Sequence, residues 1–180
     1  MQKPHEVLEL RFDSATTKVI TDVRDQVLTN IGMSHERHGL FTPHLSLASS
    51  PSDSFTLAFD QIESLCARYK NLPLKLSHIG AFKGASHTLF LGITPTAELL
   101  DLHRELHSLL EQHRIQQVDF IRPNAFVPHC TLATNITNEH LLQGMRLLEG
   151  LSLPLLATAE SLSLVEYFPE KVVSSCTLAE

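Results

Sequence analysis

One phrase is written twice in this chain of 180 residues: residues 43–48 read PHLSLA and residues 128–133 read PHCTLA. Each copy alternates polar and apolar positions, which predicts a strand, and each is followed by a segment that predicts a helix. A chain of this length can form one domain from two similar halves. The repeated phrase therefore predicts a degenerate duplication, in which residues 1–180 form one two-lobed α+β domain.

The rest of the chain fits this organisation, with four predicted helices that alternate with predicted strands. Strands are predicted at 6–12, through the first phrase after Pro43, and at 72–82, 87–94, 128–134, 153–158, 161–168 and 171–178. Helices are predicted at 15–31, 53–70, 96–113 and 137–149, and the third carries a regular stripe of leucines. Asp13 and Ser14 are expected to cap the first helix, and Thr137 or Asn138 the fourth.

Charge and cysteine content exclude several classes of protein. The net charge is −6, whereas binding many phosphates of a nucleic acid requires a basic surface. A small nucleotide or a single RNA end remains compatible with this charge. The cysteines are Cys66, Cys130 and Cys176, an odd number without a CxxC pair, which favours reduced thiols over a disulfide framework or a zinc site. The opening MQKPHEVLELRFD contains no apolar signal-peptide core, and no apolar run approaches about 18 residues, so we expect a cytoplasmic protein without membrane association. The sequence does not indicate an oligomeric state, and a monomer is the default expectation.

The strand period assigns a chemistry to the repeated phrase. Residues i and i+2 of a strand share a face, so His44 lies beside Ser46, and His129 beside Thr131. The opposite face of each strand is apolar and suits a core. If a pseudo-twofold axis relates the two halves, both polar faces point into one cleft that holds two imidazoles and two hydroxyls.

That set of side chains suits hydrolysis of a phosphodiester. One histidine can activate water as a general base, and the other can protonate the leaving oxygen as a general acid. The hydroxyls of Ser46 and Thr131 can donate to the non-bridging phosphate oxygens. This chemistry requires no metal ion or other cofactor, and neither phrase supplies a carboxylate or a third histidine at metal-ligand spacing. Chance similarity is the alternative, since residues 174–179 read SSCTLA without a histidine.

With its two H-x-[ST]-x motifs at this spacing, the sequence resembles the two-histidine (2H) phosphoesterase superfamily, and most closely the bacterial 2'-5' RNA ligase or RNA 2',3'-cyclic phosphodiesterase branch. The resemblance implies two pseudo-symmetric lobes, each an antiparallel sheet with helices packed outside, and an active-site groove between them. It implies that His44 and His129 are general acid and base, and that Ser46 and Thr131 hold the phosphate. An RNA terminus or a small cyclic nucleotide would be the substrate.

The sequence departs from the family pattern after the second motif. Thr134 stands where many relatives have arginine, so an expected positive charge is missing. Candidates to supply charge from the rim of the groove are Arg11, Lys83, Arg114 and Arg122. Phe126 is a candidate to stack on a base, and His35, His38 and His87 are candidates to border the groove.

Three functions remain open from the sequence. The first is metal-independent hydrolysis of a 2',3'-cyclic phosphate. The second is 2'-5' RNA ligation, the reverse reaction in the same groove. The third is a module that binds phosphate or a nucleotide without turnover, which the missing arginine favours. His44 and His129 occupy equivalent positions of the repeated phrase, so the sequence alone does not show which is the acid and which is the base.

Overall fold

The structure, a computed structural model, describes residues 5–33, 41–51, 54–167 and 169–179. Within these ranges the chain forms seven strands and four α-helices. The strands are β1 (His5–Phe12), β2 (His44–Ser50), β3 (Leu72–Phe82), β4 (His87–Ile93), β5 (His129–Ile136), β6 (Leu155–Tyr167) and β7 (Lys171–Thr177). The helices are α1 (Ser14–Asn30), α2 (Phe59–Cys66), α3 (Ala97–Gln112) and α4 (Asn138–Leu148), and short 3₁₀ segments span Phe55–Ala58 and Asp119–Ile121.

All seven strands belong to one hydrogen-bonded sheet, and every pairing is antiparallel. The strand order is β2-β1-β6-β3-β4-β5, and β7 also pairs with β6. The first half of β6 pairs with β3, and its second half lies between β1 and β7. Each half of the molecule therefore has its own set of strands, and the two sets share β6. The predicted α+β class with antiparallel strands is confirmed.

The prediction of two separate strands at 153–158 and 161–168 is wrong, because β6 runs without a break. The register with β1 shifts between Ser161 and Ala159, so Glu160 has no partner on β1. Such a bulge bends a strand without ending it. The segment contains no glycine, proline or asparagine that would favour a turn there.

Of the residues predicted to cap α1 and α4, Asp13 and Thr137 are the N-caps, whereas Ser14 and Asn138 are the first residues of the helices. Asp13 accepts a hydrogen bond from the Thr16 amide at 2.8 Å, and Thr137 accepts one from the His140 amide at 3.2 Å. The helix predicted at 53–70 is shorter than expected. It begins with the 3₁₀ segment and ends at Cys66, and Leu57 within the 3₁₀ segment is exposed to solvent.

The apolar faces of the two phrase strands lie in the core, as the strand period predicts. Leu45 and Leu47 of β2 are fully buried, and Cys130 and Leu132 of β5 nearly so. The largest buried apolar cluster contains residues of both halves. Helix α1 packs against α4 and β5, and α2 packs against β7 and α3. Across the described residues, no helix has the length and apolar character needed to cross a membrane.

Candidate active site

The four side chains singled out by the repeated phrase line one cavity of about 660 Å³. This groove contains His44 and Ser46 from β2 and His129 and Thr131 from β5. Much of the remaining wall is aromatic, from Phe41, Phe82, Phe120, Phe126 and Tyr167. The structure therefore brings both polar faces of the duplicated strands to the same space.

The two halves present their histidines on equivalent strand pairs. In the first half β2 pairs with β1, and in the second half β5 pairs with β4. The registers match: His44 lies opposite Arg11, and His129 lies opposite Gly92. Two residues along, Ser46 lies opposite Glu9, and Thr131 lies opposite Phe90. The backbones are thus repeated, while the side chains beside the histidines differ.

Both imidazoles are held in the same way by the backbone. His44 Nδ1 lies 2.8 Å from the Thr42 carbonyl oxygen, and His129 Nδ1 lies 2.7 Å from the Val127 carbonyl oxygen. Because a carbonyl oxygen only accepts, each Nδ1 carries hydrogen and donates. In the neutral ring the lone pair is then on Nε2, the nitrogen available for proton transfer.

A buried network of charged and polar groups surrounds His44. Its Nε2 lies 3.3 Å from Glu9 Oε1, and the Tyr167 hydroxyl donates to the same oxygen. Arg11 Nη2 lies 2.8 Å from Glu9 Oε2 and 3.0 Å from Glu170 Oε1. Burial raises the pKa of Glu9 to about 7, against the lowering effects of Arg11 and Tyr167. Burial also lowers the pKa of His44 to about 4.

The surroundings of His129 are aromatic. The centroids of the Phe82 and Phe90 rings lie 4.9 and 5.0 Å from that of the His129 imidazole. Burial lowers the pKa of His129, and the neighbouring His44 adds to this effect. An imidazole in such surroundings favours its neutral form, which is the form that can accept a proton.

Hydroxyl groups supply the remaining polar surface of the groove. Thr134 lines it together with Thr88, and their hydroxyl oxygens lie 3.2 Å apart. Among the described residues that line the cavity there is no lysine, arginine, aspartate or glutamate. A ligand there meets imidazoles, hydroxyls and aromatic rings as its immediate contacts.

The charged residues predicted at the rim are engaged elsewhere. Arg11 is paired with two carboxylates, as described above, and Arg122 pairs with Glu111 of α3. Neither side chain lines the groove. Phe126 does line it, but one face of its ring stacks on buried His103 at a centroid distance of 3.8 Å.

The other candidates for the rim lie apart from the groove lining. The set is Lys83, Arg114 and His87, none of which contributes to the cavity wall. His35 and His38 lie outside the described residues.

Sequence reasoning missed the residues that distinguish the two histidines. Glu9 occupies a polar position of an alternating strand, where an exposed carboxylate is the ordinary expectation, yet it is fully buried. Tyr167 and Phe82 come from the ends of strands distant in sequence. One signal in the sequence could have found Glu9. Residues 8–12, LELRF, resemble residues 89–93, LFLGI, and each segment precedes one copy of the repeated phrase.

A second cavity, of about 730 Å³, lies between the start of α1, β3 and the start of β6. It contains no histidine, and its charged side chains are Asp13, engaged in capping α1, and Lys75. It therefore lacks a pair of groups suited to acid–base chemistry. In the part of the chain that is described, no three His, Cys, Asp or Glu side chains are grouped so as to hold a metal ion.

Comparison with known proteins adds a family and a fold. A model of the 2'-5' RNA ligase superfamily matches residues 51–168, a range that includes the second phrase. Among curated proteins, the chain is similar to "Putative phosphoesterase OB1230" of Oceanobacillus iheyensis. The two are 25% identical over 122 residues, which cover 65% of this chain and 68% of that protein.

Solved structures extend the similarity to the first phrase. The chain resembles E. coli LigT complexed with 3'-AMP with a TM-score of 0.62 and 17% identity, over 98% of this chain and 99% of that chain. It resembles Kluyveromyces marxianus Usb1 with uridine monophosphate with a TM-score of 0.52 and 16% identity, over 99% of both chains. At these identities the likeness shows a shared fold.

Proposed function

Because this chain belongs to the 2'-5' RNA ligase superfamily, we propose that it is a metal-independent phosphodiesterase that hydrolyses a 2',3'-cyclic phosphate on a small nucleotide or RNA end. The observation that supports this most directly is the pair of imidazoles in one groove. Each is held through Nδ1 by a backbone carbonyl, which leaves Nε2 for proton transfer.

The reaction requires one base and one acid on opposite sides of the phosphorus. One imidazole removes a proton from water as the water oxygen attacks phosphorus, and the other protonates the departing ribose oxygen. Ser46 and Thr131 lie two residues beyond the histidines and can donate to the non-bridging oxygens, where negative charge collects. The four groups therefore cover each requirement of the reaction.

The lining of the groove favours a substrate with a single phosphate. A cyclic phosphodiester carries one negative charge, which the hydroxyl donors and the N–H of the general acid can stabilise by hydrogen bonds. A longer RNA presents several phosphates, whose binding depends on lysine and arginine contacts that the described lining lacks. The aromatic wall suits a nucleobase, and the two solved relatives named above bind 3'-AMP and uridine monophosphate.

The test is hydrolysis of nucleoside 2',3'-cyclic phosphates by the purified protein in the presence of a chelator, with the product isomer identified. We expect turnover, and we expect His44→Ala and His129→Ala each to lower kcat by roughly 100-fold or more while circular dichroism stays unchanged. The exposed His113→Ala, on the far end of α3, serves as the matched control with wild-type activity. Full activity in both groove variants would refute the proposal.

The same groove could join RNA ends in the reverse reaction, since one acid–base pair serves both directions. Incubation with RNA ends bearing a 2',3'-cyclic phosphate and a 5'-hydroxyl measures this directly. We expect hydrolysis to predominate because a joined product would require the groove to hold two polyanionic chains.

A further inference from the structure

The duplication makes the two histidines equivalent in backbone but not in neighbours. The matched strand registers make Glu9, near His44, equivalent in position to Phe90, near His129. Glu9 is fully buried, and one of its oxygens lies 3.3 Å from His44 Nε2. Nothing in the repeated phrase itself requires this difference.

The contact between Glu9 and His44 requires a proton. Because His44 Nδ1 donates to the Thr42 carbonyl, the neutral ring turns the lone pair of Nε2 toward Glu9 Oε1. An ionised Glu9 would then place a carboxylate lone pair against the imidazole lone pair. A proton between the two atoms turns this repulsion into a hydrogen bond, whichever partner holds it.

We propose that Glu9 and His44 share one proton, and that this makes His44 the general acid and His129 the general base. The assignment of roles rests on the hydrolysis proposed above. Glu9 is a positioning residue that acts through His44, without contact with the substrate. His129 has aromatic rings in place of the carboxyl group, so its Nε2 keeps a free lone pair.

With these roles, every proton transferred in one turnover has a donor and an acceptor. His129 Nε2 takes a proton from water while the water oxygen forms a bond to phosphorus. The bond from phosphorus to one ribose oxygen breaks, and that oxygen takes the proton shared by His44 and Glu9. The cycle ends with His129 protonated and the pair deprotonated, and exchange with solvent restores both.

The groups facing Glu9 from each neighbouring element are consistent with a shared proton. Arg11 of β1 and the Tyr167 hydroxyl of β6 favour the ionised carboxylate, whereas Glu170, between β6 and β7, and burial favour the protonated one. Burial raises the pKa of Glu9 and lowers that of His44, so for the pair with one proton burial favours the neutral form over the form in which both groups are charged.

Nuclear magnetic resonance of the histidine Cε1–H groups tests the shared proton without any need for activity. Glu9→Gln keeps the shape of the side chain but does not ionise. We expect the His44 signal to titrate at least one pH unit lower in Glu9→Gln than in the wild type, because the imidazole then holds a proton alone. Glu166→Gln, the same change on β6 away from His44, leaves the titration in place. An unchanged His44 titration in Glu9→Gln would overturn the proposal.

Kinetics with two leaving groups tests the assignment of acid and base. A 2',3'-cyclic nucleotide has a poor leaving group that needs an acid, whereas a 2'-deoxynucleoside 3'-(4-nitrophenyl phosphate) does not. We expect Glu9→Gln to lower kcat about 10- to 100-fold on the cyclic nucleotide only. His44→Ala should likewise spare the nitrophenyl ester, and His129→Ala should impair both reactions. Reversal of the two histidine results would overturn the assignment.

The two proposals fail in distinguishable ways. If the wild type turns over no cyclic nucleotide, the proposed function fails, while the resonance titration still decides whether Glu9 and His44 share a proton. If the wild type is active and Glu9→Gln matches it in kcat, pH profile and His44 titration, the inference about Glu9 fails alone.

Discussion

At the scale of single residues, Phe120 is the groove aromatic most exposed to solvent. Its side chain is 74% exposed, whereas that of Phe82 is 39% exposed and Tyr167 is buried. It lies in the short 3₁₀ segment between α3 and β5, at the wall of the groove. An aromatic ring in this position offers a face on which a nucleobase can stack once a substrate enters.

We expect Phe120→Ala to raise KM for a cyclic nucleotide on the order of tenfold without lowering kcat, because stacking contributes about 1–3 kcal/mol per base. Glycerol 1,2-cyclic phosphate, which has the reactive group but no base, should be hydrolysed equally by both proteins. Leu57→Ala, also strongly exposed but remote from the groove, is the control for loss of surface apolar area. An equal rise in KM for both substrates would show that Phe120 does not contact a base.

At the scale of elements, the pairing of β3 with β4 sets the position of an aromatic ring beside His129. Gly80 lies opposite Phe90, and a Cβ at Gly80 would lie 2.3 Å from an atom of that ring. The ring therefore lies across the backbone of β3, which only a glycine permits at this distance. Gly92, opposite His129, is covered in the same way by the His78 imidazole. Two glycines thus let the second half carry flat rings where the first half carries Glu9 and Arg11.

Gly80→Ala should displace the Phe90 ring, which is nearly buried and has little room to move. Overpacking of this kind costs about 1–3 kcal/mol of unfolding free energy, measurable by urea denaturation. In a Phe90→Leu background the ring is absent, so adding Gly80→Ala should cost little. The double variant Gly80→Ala/Phe90→Leu should therefore be nearly as stable as Phe90→Leu alone. Additive effects of the two changes would mean that the ring and the new methyl group do not meet.

At the scale of the whole molecule, a buried histidine pair joins the two halves. His103 and His107 lie one turn apart on α3, with their Nε2 atoms 3.0 Å apart. His107 Nε2 also lies 3.0 Å from the Leu47 carbonyl oxygen of β2, and His103 Nε2 lies 3.0 Å from the Ile121 carbonyl oxygen. The pair thus connects a helix of the second half to a strand of the first, at the residue that follows Ser46.

The sequence predicted what depends on local periodicity and not what depends on long-range register. Alternation along β2 and β5 placed Leu45 and Leu132 in the core and the histidines on the opposite face, because a strand has a period of two residues. The position of Glu9 follows from which residue of β1 lies opposite Ser46, and β1 is separated from β2 by a helix. A one-residue change of that register would turn Glu9 to the other face, and no local pattern fixes the register.

The same limit explains the error in β6 and the unexpected histidine pair. Glu160 bulges out of a continuous strand because β6 changes partners there, from β3 to β1 and β7. His103 and His107 have helical spacing beside the leucine stripe, but polar residues next to such a stripe usually remain at the surface. Their burial depends on carbonyl groups of β2 and of residue 121, which a helical pattern alone does not reveal.

The histidine pair predicts loss of stability in acid. Burial, together with repulsion from His107, lowers the pKa of His103 to about 4, and burial lowers the pKa of His107 as well. A histidine whose pKa is lowered by folding stabilises the protein above its unfolded value of about 6.5, and this stability is lost as the pH falls through the folded value. Unfolding free energy should therefore decrease from pH 6.5 toward pH 4. Glu9 has the opposite effect because folding raises its pKa. Its contribution to the unfolding free energy is present in acid and is lost as the pH rises through about 7.

The contribution of the pair is isolated by comparing the wild type with His103→Leu in urea denaturation at several pH values. The variant loses the hydrogen bond to Ile121 and should be less stable at pH 7.5, but it no longer has to protonate a buried imidazole in acid. Its stability should therefore fall less between pH 6.5 and 4, by on the order of 3 kcal/mol, and the two curves should converge at low pH. Since Glu9 is present in both proteins, its opposing effect cancels from the difference. Parallel curves over this range would show that protonation of His103 does not drive the acid transition.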